Sequence, residues 1–146
     1  MARIRHRVGI RAARRDVYEA VHLPDKLAAW WATSASGKPE VGGQLRLEFP
    51  GYDDHVWEVV ELAEDAVVHL RCRQGPGPWI DSELRFDLAA GESQVYVTLT
   101  HSNLDEQSEA YLYFNTKWVT FLLSLKDFLE TGTGQPFPRD VQIDHD

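Results

Sequence analysis

The stretch from Tyr111 to Leu129 limits the fold more than any other part of the chain. Tyr111, Phe114, Trp118, Phe121, Leu122, Leu125 and Leu129 recur at steps of three and four residues. On a helix of about 3.6 residues per turn they form one continuous apolar stripe roughly five turns long. Gly132, Gly134 and Pro136 follow and end the helix. A stripe carrying that much aromatic bulk needs a broad, concave apolar surface to cover it, and an antiparallel sheet with one greasy face provides one.

The rest of the chain supplies such a sheet. "RIRHRVGI" alternates, with Ile4, His6, Val8 and Ile10 on one side and Arg3, Arg5 and Arg7 on the other, which is the period of a half-buried strand. "ARRDVYEAVH" then places Val17, Ala20 and Val21 at helical spacing, and "LPDKLAAWWA" opens a second short helix near Pro24 or Asp25. From there the period returns to two. "VGGQLRLEF" aligns Leu45, Leu47 and Phe49, "AVVHLRCR" aligns Val68, Leu70 and Cys72, "IDSELRFDL" aligns Ile80, Leu84, Phe86 and Leu88, and "VYVTLTH" aligns Val95, Val97, Leu99 and His101. "HVWEVVEL" is a strand of ambiguous facing, because both of its parities are apolar. Five strands in succession with short connections make an antiparallel meander, and with the first strand they give six in all. The expected organisation is one domain over residues 1–135 and a C-terminal tail over 136–146 that packs loosely.

Composition narrows the function classes. Six of the 15 Lys and Arg lie in the first 15 residues, which hold no acid, while the whole chain carries 23 Asp and Glu and a net charge of −8. An acidic surface does not suit a nucleic-acid-coating role, which needs clustered cations to replace counterions. The early arginines are accounted for as the solvent face of the first strand. Cys72 is the one cysteine, so an intrachain disulfide or a cysteine-based zinc cluster is ruled out, and a cytoplasmic location is expected. No apolar run approaches the length of a membrane span, and the N-terminal stretch lacks the apolar segment of a signal peptide.

The order of strand, two short helices, meander and long closing helix resembles the α+β helix-grip (START-like) fold of the SRPBCC superfamily. The local features are most similar to the branch named after the activator of heat-shock-protein-90 ATPase. "PDKLAAWW" (24–31), "VGGQLRLEF" (41–49) and "KWVTFLLSLKDFLETGTGQPFP" (117–138) carry the likeness, which spans nearly the whole chain. The resemblance implies a curved six-stranded sheet wrapped around the C-terminal helix, with a space between them often suited to an apolar small molecule. It does not imply one chemistry, because related members include lipid carriers, aromatase/cyclase enzymes and a co-chaperone domain. The separate N-terminal domain that accompanies the eukaryotic co-chaperone has no counterpart in these 146 residues, which ranks that role behind small-molecule binding.

Candidate chemistry is sparse. His6 and His101 each fall on the apolar parity of a strand, and in a helix-grip fold the first and last strands pair, so the two imidazoles are weak candidates for a general base or proton relay. A metal needs three or four ligands, and neither an HExxH motif nor a Cys/His spacing supplies them. Cys72 reads as a buried core thiol, with Arg71 and Arg73 on the opposite face. Asp81 and Glu83 share a polar face that would not raise a carboxyl pKa. No GxSxG elbow or phosphate-binding GxxxxGK[ST] occurs, and the prolines of "GPGP" (75–78) remove backbone donors that an anion would need.

The remaining candidate is the space between sheet and helix. Trp31 on the second short helix, Leu47, Phe49, Leu70, Leu84, Phe86 and Leu99 on the strands, and Tyr111, Phe114, Trp118, Phe121 and Leu122 on the long helix are expected to surround it, with His101, Tyr111 and Tyr113 as polar anchors. Trp57 and Trp79 have no assigned place in this scheme. The expected function is binding of a small apolar or aromatic molecule, with no cofactor, no metal, no nucleic acid and no membrane, and a homodimer as an open partner state. The alternatives are a cyclase or hydrolase acting on an aromatic, polyketide-like substrate, and a stress-related or co-chaperone-like interaction module.

Overall fold

The computed structural model describes residues 1–144. The chain runs β1 (Ala2–Ile10), α1 (Arg14–Ala20), α2 (Pro24–Trp30), β2 (Ser34–Gly37), β3 (Gln44–Glu48), β4 (His55–Ala63), β5 (Val67–Gln74), a 3-10 turn (Gly77–Trp79), β6 (Glu83–Ala90), β7 (Val95–Leu104) and α3 (Glu109–Thr131). All strands lie in one antiparallel sheet of order β1-β7-β6-β5-β4-β3-β2, and α3 packs across its concave face. The architecture is the α+β helix-grip fold.

The sheet has seven strands where the periodicity indicates six. The addition is β2, Ser34–Gly37, an edge strand that pairs only with β3 and sets Ala35 against Leu47. Its sequence, SASG, has no apolar alternation to reveal it; its strand character comes from the β3 ladder beside it. Ile80, read as part of the β6 face, lies before that strand begins and is half exposed.

The ambiguous facing of β4 has a local cause. The ladder between β4 and β5 shifts register between Val56 and Trp57, whose partners are Gln74 and Cys72, and again between Val59 and Glu61. Extra residues at such bulges break strict alternation. His55, Val56 and Trp57 are therefore buried in succession.

α3 forms where the stripe indicates. Ser108 caps its N-terminus by accepting a hydrogen bond from the Tyr111 N–H at 3.1 Å, and Gly132 ends it in the left-handed region at φ 90°. Its buried face includes Trp118, Phe121, Leu122 and Leu125, and each such side chain contributes about 1.5–3 kcal/mol of burial. Ser124 lies on the same face, where its hydroxyl donates to the Trp30 carbonyl at 2.8 Å and accepts from the Gln135 N–H at 2.7 Å. One hydroxyl thus ties together α2, α3 and the start of the tail.

The tail does not pack loosely over residues 137–141. The Phe137 N–H donates to the Trp31 carbonyl at 2.9 Å, and its ring lies 5.7 Å from that of Phe49. Lys117 on α3 forms an ion pair with Asp140 and donates to the Val141 carbonyl at 2.7 Å. Both charged side chains are buried. Among the described residues, no helix is long and apolar enough to cross a membrane.

Candidate functional site: an aromatic cleft beside a filled interior

Most of the space between α3 and the sheet is occupied by indole rings. The Trp31 ring, from the residue that closes α2, lies 5.1 Å from Trp118, 5.6 Å from Trp30 and 6.0 Å from Trp57. Trp79 enters from the 3-10 turn and stacks on Trp118 at 6.0 Å with an interplanar angle of 6°. The two tryptophans that the periodicity leaves unplaced therefore help to complete the centre of the core. Leu47, Leu70, Leu84, Phe86, Leu99 and Leu122 are buried around them. These expected ligand contacts pack against one another in the buried core of this structure.

His101 belongs to that interior. Its Nδ1 accepts a hydrogen bond from the Trp118 indole N–H at 3.1 Å, which places the ring proton on Nε2, 2.8 Å from the Ser82 hydroxyl. Burial, reinforced by the nearby His55, pushes its pKa down to about 3. With both nitrogens engaged and no exposed surface, this imidazole has no free lone pair for a substrate proton. His6 is not its partner: it sits opposite Leu99 on β7, while His101 sits opposite Ile4. The His6 Nε2 instead lies 2.9 Å from the Asn115 side-chain oxygen on α3. Cys72 is buried, its thiol donates to the Gln74 carbonyl at 3.3 Å, and burial pushes its pKa up to about 11.

A cleft of about 280 Å³ opens beside this filled interior. The end of β3 and the start of β4 contribute Phe49, Tyr52, Asp53 and His55, while the β5 loop contributes Pro76. α3 contributes Tyr113, Phe114, Lys117 and Phe121, and the tail closes the remaining side with Phe137, Asp140 and Gln142. Of the residues expected to meet a ligand, Phe49, Phe114 and Phe121 line this cleft, as does the proposed anchor Tyr113. Tyr111 lies in a separate small crevice with Trp79, and its hydroxyl donates to the Arg3 carbonyl at 3.2 Å.

His55 is the polar residue that sequence reasoning missed. Its ring is 4.4 Å from Phe49, 5.1 Å from Trp79 and 6.0 Å from Trp31, and the residue is only 6% exposed. This apolar surrounding pushes its pKa down to about 4, against a smaller opposing effect of Asp54. It is therefore a neutral imidazole near pH 7, and its buried Nδ1 has no hydrogen-bond partner. The neighbouring indole N–H groups of Trp57 and Trp79 are likewise buried without partners. Lys117 was missed for a different reason. It occupies the apolar stripe between Phe114 and Phe121, but a lysine there reads as an interruption unless its acid is known. That acid, Asp140, comes from the tail.

Among the described residues, no group of three or more His, Cys, Asp or Glu is placed to hold a metal ion. The cleft has aromatic walls, a neutral imidazole, His55, whose Nδ1 is buried without a partner, and a lysine paired with its aspartate. The lining is thus mainly apolar with a few polar groups.

Fold and sequence together define a family. The pattern described as "Activator of Hsp90 ATPase homolog 1-like protein" matches residues 11–130, and the chain belongs to that family. The solution structure of the Aha1 dimer from Colwellia psychrerythraea is 36% identical, with a TM-score of 0.83, covering 92% of this chain and 100% of that one. The protein SSP2350 from Staphylococcus saprophyticus is 23% identical, with a TM-score of 0.77 over 91% of this chain and 95% of that one. CalU16 from Micromonospora echinospora, in its solution NMR structure, is 20% identical, with a TM-score of 0.78 over 99% of this chain and 75% of its own. These last two share the fold. No curated protein matches the sequence.

Proposed function

We propose that the protein binds a small, mainly aromatic molecule in the cleft formed by β3, β4, α3 and the tail. The observation that carries this reading is the contrast within one fold. The interior is filled by tryptophans, while the adjacent volume of about 280 Å³ is left open although aromatic side chains surround it. An apolar surface left uncovered beside a packed core is unfavourable unless something else covers it. A ligand burying about 200 Å² of aromatic surface at roughly 25 cal/mol per Å² gains about 5 kcal/mol before the costs of ordering. Dissociation constants for simple probes therefore fall around or above 10⁻⁴ M.

The test is a titration with naphthalene and indole, followed by tryptophan fluorescence and by thermal shift. Saturable binding of one molecule per chain supports the reading. No binding up to the solubility limit, for probes of either shape, contradicts it.

A second copy of the chain is the further partner. The Colwellia relative is a dimer, and α3 here exposes Leu112, Val119 and Leu123 on the face turned away from the sheet. Spacings of seven and four residues put these three on one side of the helix. Sedimentation equilibrium tests this: a dimer that Leu123→Glu converts to monomer is expected, and a monomer at all concentrations excludes it.

A further inference from the structure

The outward face of the sheet is unevenly charged. Each arginine of β5 and β6 has acids beside it. Arg71 lies 3.6 Å from Glu83, Arg73 pairs with Glu58 and lies 3.7 Å from Asp81, and Arg85 lies 3.1 Å from Asp87 and 3.4 Å from Glu61. β1 is built differently. Arg3, Arg5 and Arg7 are exposed, and among the described residues none of the three is in an ion pair. Arg5 and Arg7 stand opposite Thr100 and Thr98 of β7, which carry no charge and stand in turn opposite Arg85 and Asp87 of β6. Directly opposed residues share a face, so both sets of arginines project from the same side of the sheet. Arg7 also lies over the Tyr96 ring, 5.0 Å from its centroid. Three neighbouring cations without an acid repel one another, and they do so in a chain that holds 23 Asp and Glu and a net charge of −8.

We propose that this row of arginines is a docking site for an extended, acidic polypeptide segment. Alternate residues of a strand lie about 6.7 Å apart, so Arg3, Arg5 and Arg7 form a line roughly 13 Å long. An extended polypeptide with Asp or Glu at every other residue repeats at the same spacing, and it can set one carboxylate against each guanidinium. Long or broad polyanions fit less well. The row is short, and Glu83 and Asp87 stand two strands away on the same face, where a nucleic-acid duplex or an anionic bilayer would press them against its own phosphates. The arginines project from the side of the sheet opposite Ile4 and Ile10, which belong to the core under α3. This docking site is therefore independent of ligand binding in the cleft.

The experiment titrates the full chain into fluorescein-labelled peptides and follows anisotropy at about 50 mM salt. One peptide alternates four glutamates with threonine, a second spaces four glutamates at every third residue, and a third carries lysine in place of the alternating glutamates. The alternating acidic peptide is expected to bind saturably and about three-fold more tightly than the second, and the lysine peptide is expected not to bind. The triple variant Arg3→Gln, Arg5→Gln, Arg7→Gln should weaken the alternating acidic peptide about ten-fold. The triple variant Arg71→Gln, Arg73→Gln, Arg85→Gln removes the same charge from the paired part of the face and should stay within about three-fold. Arg5→Gln alone, with an expected loss of about two-fold, supplies the comparison where the first triple variant does not fold. No saturable binding of the alternating acidic peptide, or equal weakening by the two triple variants, overturns the docking site. Tighter binding of a single-stranded oligodeoxynucleotide or of phosphatidylserine vesicles than of the peptide, lost in the β1 variant, gives the row to a phosphate partner and overturns the inference. A wild-type dimer that the β1 variant converts to monomer overturns it in favour of a second copy.

Discussion

His101 and His55 lie against the same two indoles, Trp57 and Trp79, yet they have become different groups. His101 spends both nitrogens, one on Trp118 and one on Ser82. His55 lines the open cleft, and its Nδ1 is buried without a hydrogen-bond partner. Both are neutral, and in both burial is the largest cause. The comparison shows that a perturbed histidine is not by itself a functional one. The two differ in whether the fold satisfies their nitrogens, which burial alone does not reveal. The comparison also divides the space under α3 into a filled half and an open half.

The largest effect should come from the filled half. Trp118→Ala removes a buried indole and the donor to His101, and is expected to cost about 3–5 kcal/mol of stability in urea unfolding. A loss below about 1 kcal/mol would mean that the interior is looser than its ring contacts suggest. Ser124→Ala comes next, at about 1–3 kcal/mol, because it leaves the Gln135 N–H without its acceptor and frees the Trp30 carbonyl.

Acid separates the halves in another way. Both histidines accept a proton more readily in the unfolded chain, near pH 6.5, than in the folded one, near pH 4 for His55 and pH 3 for His101. Their contribution is fully present above about pH 6.5 and is lost as pH falls toward those values. Unfolding free energy measured between pH 7 and 4 should therefore decline, and His55→Phe should make that decline shallower. An unchanged slope would show that His55 is protonated in the fold as easily as in the open chain.

The smallest stability effects belong to the open half. Lys117→Met leaves Asp140 without its cation, but the tail can lift and hydrate that carboxylate, so the cost is limited to undocking. The expected result is cleavage in 137–141 under limited proteolysis, with a global change of about 1 kcal/mol. A loss of several kcal/mol would place the ion pair in the core rather than at the edge of the cleft. Tyr52→Ala, at a residue 74% exposed, should leave stability within about 0.5 kcal/mol yet weaken naphthalene binding several-fold.

The filled half was legible in the sequence and the open half largely was not. Period and turn chemistry locate β1, α1, α2, β3 to β7 and α3, because each carries an apolar face that local spacing reveals, except β4, which is located as a strand but whose bulges hide its facing. β2 escapes, since SASG is held by its neighbour rather than by its own pattern. Residues such as Leu84, Phe86 and Leu99 were placed correctly on the concave face, but the spacing could not say whether that face surrounds a void or other side chains. Trp57 and Trp79 decide the matter, one after a bulge and the other on a 3-10 turn, where no period applies. The polar side of the cleft depends on contacts across the chain. Lys117 meets Asp140 from the tail, and His55 is buried by Trp31 and Trp79 from distant elements.

The central claim is that a small aromatic molecule enters the open half and leaves the filled half undisturbed. Aromatic ¹H–¹³C spectra of the protein titrated with 2-naphthol test this most directly. The account predicts saturable shifts at His55, Phe49, Phe121 and Phe137, with Trp30 and Phe86 unmoved. Shifts centred on Trp30 and Phe86, or no saturable shift at His55 and Phe49, would contradict it.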